Sequence, residues 1–395
     1  MGFERDIVIV GGCGHVGLPL GLAFADRGLR VVLYDIDKQK VAQVNDGILP
    51  ASEPGAQEVL DRVAGSFLVA SSDPTVLSTA EHVVIVIGTP VGAHLAPDPQ
   101  AVPRAIDELA EYFREGQLLI LRSTVYPGVT ASVERLVERD LVGVEVAFCP
   151  ERIAEGRALV ELSELPQLVA ARSPYAMERA TRLFETIASK VVQLNPEEAE
   201  LAKLFTNTYR YIKFAAANQL YMIANDFGCD YERIRQALTD DYPRAADLPG
   251  AGFAAGPCLL KDTMQLANFD DNRFTLGHAS MAINEGLPLY LVSRLEKRFH
   301  LAFMTVGILG MAFKAESDDP RSSLAYKLKR VLGFKAERVL TTDPFVDDPD
   351  VVPLDEVVAA SDLLIIAAPH AAYRDLQTER PVIDIWNLLQ RGVRI

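Results

Sequence analysis

The stretch "DIVIVGGCGHVGLPLGLAFADRG", Asp6 to Gly28, restricts the possible folds more than any other part of the chain. A short apolar run of strand length ends in glycines, a helical-looking segment follows, and "RVVLYDID" resumes a strand. This is a β-turn-α-β unit, and its turn holds the pattern Gly12-x-Gly14-x-x-Gly17. Each part has a physical task. Gly12 permits a tight turn, Gly14 lets the backbone approach a pyrophosphate, and Gly17 lets helix and strand pack closely. The helix N-terminus attracts phosphate, and Asp35, at the end of the second strand, can accept from ribose hydroxyls. The alternative is a glycine-rich turn beside an ordinary surface aspartate. A carboxylate at position 35, with no arginine following in "YDIDKQK", repels a 2′-phosphate and favours NAD over NADP.

Further strands are expected at "FLVA", "HVVIVIG", "QLLILRS" and "VEVAFCP", separated by helix-length segments. Such alternation predicts a parallel sheet covered on both faces. At "NPEEAELAKLFTNTYRYIKFAAANQLYMIANDFG", Asn195 suits an N-cap and Pro196 the first helical position, while Glu197 and Glu198 favour the positive helix end. Gly228 suits the terminating position, so a single helix of roughly 45 Å is predicted. A second glycine-turn strand, "FMTVGILGMAFK", precedes the strands "RVLTTDPFV", "SDLLIIAAP" and "RPVIDIW". The expected fold is therefore α/β: two Rossmann-like doubly wound domains, 1–194 and 301–395, joined by a long central helix and an all-α middle domain, 195–300.

A length of 395 residues calls for two or three domains. The formal charge of −15 argues against nucleic acid or an anionic membrane as the main partner. The longest apolar runs fall well short of the ~20 residues of a membrane span. The N-terminus enters a strand at once without the pattern of a secretory leader, so a cytoplasmic protein is expected. Cys13, Cys149, Cys229 and Cys258 are scattered and read as free thiols, and the six histidines show no metal-ligand spacing, so no metal site is expected.

Three groups of residues can carry chemistry. Lys203 and Asn207 lie four apart on one face of the long helix, with Glu200 three residues earlier; they form either a solvated stripe or part of a pocket. Glu151 and Glu155 follow a strand end, where ligands of open sheets gather, and either handle protons or cap the next helix. Cys258, in "GAGFAAGPCLLKD", is either a core thiol or a nucleophile. A helix N-terminus or a nearby ammonium from Lys203 or Lys261 would favour its thiolate. Beside a dinucleotide site, a thiolate suggests aldehyde oxidation through a thiohemiacetal and a thioester, with Asp262 orienting water.

"GHVGLPL", "GTPV", "STVYPG", "PERIAEG", "AKLFTNTYR", "GPCLLKD" and "GMAFKAESDDPRSS" occur in this order across nearly the whole chain. Together they resemble the UDP-glucose/GDP-mannose 6-dehydrogenase family. The resemblance implies a four-electron oxidation of the C6 alcohol of a nucleotide sugar to a carboxylate, with two NAD reduced. It implies Cys258 as nucleophile, Lys203 and Asn207 in proton handling, oxyanion stabilisation and water placement, Asp262 as water-orienting acid, and Glu151 as acid/base in thioester hydrolysis. It assigns Gly12, Gly14, His15, Val16, Gly17, Asp35, Lys40, Thr89, Pro90, Ser123, Thr124, Glu155, Lys261 and Arg321 to the NAD. Arg152, Phe253, Gly256, Phe313 and Lys314 are assigned to the UDP-sugar substrate, and Arg244 to the substrate of the partner in a homodimer.

The chain departs from the family's glycine-rich run before the cysteine, with Ala255 and Pro257 in "AAGPC", and places Trp386 near a position where some members carry a nucleotide-contacting arginine. "GLPL" and "DYPRAADLPGAGF" are most similar to the branch acting on UDP-N-acetylhexosamines, which points to UDP-N-acetylmannosamine, with UDP-glucose as the alternative. Two other readings stand beside this one: a non-catalytic nucleotide-sugar sensor, and a two-electron alcohol dehydrogenase.

Overall fold

The computed structural model describes residues 2–89, 97–393 and 395. The chain divides into two compact units, Met1–Phe205 and Thr206–Ile395.

The first unit begins with β1 (Arg5–Val10), α1 (Gly17–Asp26), β2 (Val31–Tyr34), α2 (Lys38–Asn45), α3 (Ala56–Val63) and β3 (Leu68–Ser71). It continues through β4 (Ala80–Ile85), α4 (Ala101–Glu108), β5 (Leu118–Leu121), α5 (Val129–Asp140) and β6 (Glu145–Phe148). It is completed by α6 (Ala158–Glu164), β7 (Gln167–Ala170), α7 (Pro174–Phe184), β8 (Val191–Leu194) and the start of α8 (Pro196–Asp226). The eight strands form one sheet in the order β3-β2-β1-β4-β5-β6-β7-β8. Both faces of β1 are covered: Ile7 and Ile9 enter one hydrophobic cluster, Val8 and Val10 another. Burial of side chains this size stabilises by about 1.5–3 kcal/mol each, and it explains why the strand is a continuous apolar run.

One pairing differs from the parallel sheet expected. β7 lies antiparallel to β6, with Phe148 opposite Ala170. After β6 the chain folds at that strand's carboxyl end, through the Glu151 turn and α6, so β7 sets off from there in the reverse direction.

The long helix forms as predicted, over 31 residues. Glu198 accepts from the Asn195 amide at its start. At its end the Cys229 amide reaches back to the Ala224 carbonyl, with Gly228 at φ 80°.

In the second unit α8 is followed by α9 (Tyr231–Thr239), α10 (Leu259–Phe269) and α11 (Thr275–Arg298). Then come β9 (Thr305–Leu309), α12 (Leu324–Leu332), β10 (Arg338–Thr342), α13 (Leu354–Ala360), β11 (Leu363–Ile366) and β12 (Val382–Asp384). The last four strands make a parallel sheet in the order β10-β9-β11-β12.

Candidate active site

In the first unit the chain goes from β1 to β2 and β3 on one side and to β4 on the other, so a crevice opens at the carboxyl ends of β1 and β4. The glycines there do different work. A Cβ on Gly12 would come within 2.7 Å of the Ile9 carbonyl and 2.8 Å of Leu33 Cα, and one on Gly17 within 2.4 Å of the Gly11 carbonyl. A Cβ on Gly14 would meet only the Gly11 carbonyl, at an ordinary 3.6 Å. Packing within the protein therefore demands Gly12 and Gly17, whereas Gly14 leaves room for something else. That room lies at the α1 N-terminus, the positive end of the helix. These features fit the pyrophosphate of a dinucleotide.

Val16 stands at the N-cap of α1. Asp35 is half-buried; its Oδ2 accepts from the Cys13 amide at 3.0 Å and its Oδ1 from the Asp37 amide at 3.1 Å. It thus ties the glycine turn to the end of β2. The Lys40 amide donates to Asp37, the N-cap of α2. His15 Nδ1 lies 3.7 Å from Glu155. On the β4 side the Ser123 hydroxyl accepts from the Ile87 amide and donates to the Ile87 carbonyl, both at 2.9 Å. Thr89 donates to the Thr124 carbonyl at 2.7 Å. Pro90 lies outside the described residues.

Glu151 is buried, and both of its oxygens are engaged. One accepts from the amides of Arg152 and Ile153, at 2.6 and 2.9 Å, and the other pairs with the fully buried Arg122. Arg122 also donates to the Cys149 carbonyl and to Gln167. The Glu151 carboxylate therefore caps its own turn, and any proton transfer by it must exchange one of these bonds. The Arg152 guanidinium donates to the Pro166 carbonyl, and burial lowers its pKa from the ordinary arginine value. Glu200 does not join a reactive face: it accepts from the amides of Gly128 and Thr130, fixing α8 to the start of α5. Lys203, one turn further along α8, is buried.

In the second unit Asn207 donates to Asp262 Oδ2 at 2.6 Å, and Asp262 is fully buried. Lys261 Nζ lies 3.3 Å from the other Asp262 oxygen. Cys258 is exposed and occupies the N-cap position of α10, at the positive end of an 11-residue helix. The preceding loop is held by aromatic rings. A Cβ on Gly256 would strike the Phe313 ring at 2.5 Å, and one on Gly252 the Trp386 ring at 2.2 Å. Phe253 is buried, edge-on to Trp386 at 6.5 Å. Lys314 Nζ sits 5.5 Å from the Phe313 ring centre. Arg321 donates to both oxygens of Asp319, and Arg244 is exposed in the loop after α9.

Two of the other thiols, Cys13 and Cys149, are buried and unsuited to nucleophilic work. Burial, with the Asp35 charge beside it, pushes the Cys13 thiol up to about 12, and burial pushes Cys149 up to about 12. Sequence reasoning overlooked Arg122, Asn218, Asn284, Asp343 and His370, all buried polar side chains. Asn218 had a readable signal, since it lies eleven residues from Asn207 and shares its helix face.

Taken together, a dinucleotide crevice and an exposed cysteine at a helix start define an oxidoreductase of the dinucleotide-binding class. Three family models match the chain: the UDP-glucose/GDP-mannose dehydrogenase family NAD binding domain over residues 5–188, its central domain over 197–285 and its UDP binding domain over 307–391. A UDP-N-acetyl-D-mannosamine dehydrogenase of Pyrococcus horikoshii is 31% identical over 386 residues, covering 94% of this chain and 91% of that protein. A solved UDP-D-ManNAc dehydrogenase structure from Pyrococcus horikoshii matches with a TM-score of 0.87 at 30% identity, over 94% of this chain and 91% of that one. A solved UDP-glucose dehydrogenase from Pyrobaculum islandicum matches with a TM-score of 0.88 at 27% identity, over 96% and 94%. The chain belongs to the UDP-glucose/GDP-mannose dehydrogenase family and is an NAD-dependent nucleotide-sugar dehydrogenase. Among the described residues, no helix is long and apolar enough to cross a membrane.

Proposed function

We propose that the protein oxidises the C6 hydroxyl of a UDP-N-acetylhexosamine, namely UDP-N-acetylmannosamine, to the uronate. The observation that carries this is the setting of Cys258: an exposed thiol at the start of α10, four residues ahead of a buried carboxylate gripped by Asn207. The P. horikoshii relative supports the choice of sugar, and the P. islandicum structure supports UDP-glucose as the second reading.

Bound NAD supplies the hydride acceptor, used twice per sugar. Gly12, Gly14, His15, Val16, Gly17, Asp35, Lys40, Thr89, Pro90, Ser123, Thr124, Glu155, Lys261 and Arg321 are assigned to holding it. In the first oxidation the C6 hydroxyl gives its proton to a base served by Lys203 and Asn207, and an aldehyde results. The Cys258 thiolate then adds to the aldehyde carbon, and the oxyanion takes a proton to give a thiohemiacetal. Loss of a second hydride and a proton leaves a thioester on Cys258. Water, oriented by Asp262 with Glu151 as acid/base, breaks the carbon–sulfur bond and releases carboxylate and free thiol. Arg152, Phe253, Gly256, Phe313 and Lys314 are assigned to the nucleotide sugar. The reaction is placed in the cytoplasm, supplying uronate for polysaccharide biosynthesis.

We also propose a homodimer, with Arg244 reaching the partner's site. Its support is an apolar stripe along α8 and just past its end, where Phe205, Tyr209, Leu220, Ile223 and then Phe227 are exposed. Light scattering should give a mass twice the chain's 43.2 kDa; a fully active monomer removes the cross-subunit role.

The reaction is tested by supplying NAD with a panel of UDP- and GDP-sugars and counting NADH. Two NADH per sugar and a uronate are expected, and Cys258→Ser should stop acid formation. One NADH with a stable aldehyde sinks the four-electron reading. Tight binding without turnover across the panel favours a sensor instead.

A further inference from the structure

Two side chains of one helix bracket Cys258. Asn207 grips Asp262, four residues after the cysteine, and Asn218 grips Gly252, six residues before it. Asn218 Oδ1 accepts from the Gly252 amide and its Nδ2 donates to the Gly252 carbonyl, each at 2.9 Å. The loop runs outside any strand ladder, so a buried peptide unit there needs partners of both kinds. Among the side chains only Asn and Gln offer a donor and an acceptor side by side on one amide plane.

The clamp is itself fixed. Asn218 Nδ2 also donates to Asn284 Oδ1 of α11 at 2.9 Å, and Asn284 Nδ2 donates to the Tyr211 carbonyl of α8 at 3.1 Å. Asn218, Asn284 and Tyr211 are all fully buried. This chain of bonds orients both amides, because turning the Asn218 amide over would set N–H against N–H at Gly252. From Ala251 to Ala267 the one exposed residue is Cys258. The segment is thus pinned at Gly252 and Asp262, with Cys258 exposed between them.

We infer that Asn218 is a positioning residue: with Asn284 behind it, it fixes the Gly252–Cys258 loop so that the thiol meets the sugar carbon in a reactive geometry. This rests on the assignment of Cys258 as nucleophile. Asn207 and Asn218 lie eleven residues apart, about three turns, on one rigid face. Loss of the distal clamp frees the loop while leaving Asn207–Asp262 intact. A displacement of about 1 Å at a reacting atom lowers turnover on the order of 10²-fold.

The test uses the full chain carrying Asn218→Ala, with Asn218→Ser as the milder variant should the first not fold. Iodoacetamide alkylation of Cys258, followed by mass spectrometry, reports the loop without requiring turnover. The expected result is a kcat lower by about 10²-fold, an altered Cys258 alkylation rate, and NAD affinity at the wild-type level. Wild-type kcat and alkylation in a folded variant overturn the inference. So does a parallel fall in melting temperature, NAD affinity and kcat with Cys258 alkylation unchanged, the signature of a merely structural asparagine. The Cys258→Ser control separates the two claims: acid formation by that variant removes the nucleophile but leaves the loop measurement standing.

Discussion

The two sheets place an aspartate at the same point of the fold and use it differently. Asp35 follows β2 and accepts from the Cys13 amide in the turn after β1; Asp343 follows β10 and accepts from the Met311 and Ala312 amides in the turn after β9. Each turn begins with a left-handed glycine, Gly11 or Gly310, pressed against the chain leaving the neighbouring strand. Asp35 is half-buried and can accept from a ribose. The Asp343 side chain is fully buried: its Oδ2 lies 3.2 Å from His370 Nε2, and its Oδ1 accepts from the amides of Phe345 and Val346. His370 Nδ1 in turn accepts from the Glu316 amide, bracing the loop that carries Phe313 and Lys314. One acid is left available to a ligand, and the other is spent on holding a loop. Topology alone therefore does not make a ribose site.

The largest expected effect tests that contrast directly. Asp343→Ala leaves four amides and a buried imidazole without their acceptor, which should cost about 3–5 kcal/mol of stability. Asp35→Ala removes two partly exposed bonds and should cost about 1 kcal/mol, but it should weaken NAD binding at least about tenfold, as loss of a charged hydrogen-bond partner does. Urea unfolding and NAD titration of both variants separate the roles, and equal stability losses would erase the distinction.

A smaller effect comes from acid. Burial by itself would raise the Asp343 carboxyl, but hydrogen bonds from His370 and from the Phe345 and Ala312 amides outweigh it and hold the group down at about 2. Because this lies below the ordinary value of 3.8, its contribution is complete above about pH 4 and is lost as the pH falls toward 2. The loss should amount to about 2 kcal/mol. Asp343→Asn should flatten that part of the stability-against-pH curve, and an unchanged slope would reject the role.

This contrast also marks where the sequence was readable. Gly12, Gly14, Gly17 and Asp35 act through local chain geometry, and strand, turn and helix fall within one stretch, so the crevice follows from spacing. The 31-residue helix α8 was equally plain, because its cap residues and its terminating glycine adjoin it. The clamp at Gly252 was hidden because its partners come from positions 218 and 284, and nothing local links them. The same holds for His370 and Asp343, and for the Arg122–Glu151 pair. Glu200 stayed open for the opposite reason: helical spacing puts it beside Lys203, while its carboxylate accepts from the amides of Gly128 and Thr130.

The smallest effect sharpens the comparison most. Counted from the left-handed glycine, Gly14 of the first unit corresponds to Phe313 of the second, three residues on in each case. The first turn keeps an open position where the second carries a ring packed on Gly256. Gly14→Ala therefore fills only ligand space: stability should change by no more than about 0.5 kcal/mol, while NAD affinity should fall about tenfold, the effect of overpacking by one methyl. Gly12→Ala is the counterpart, since its Cβ meets backbone at 2.7 and 2.8 Å and should destabilise the unit by about 1–3 kcal/mol. If Gly14→Ala melts early and binds NAD normally, the open position belongs to folding and not to the cofactor. Loss of affinity at unchanged stability separates a glycine kept for a ligand from one kept for the chain.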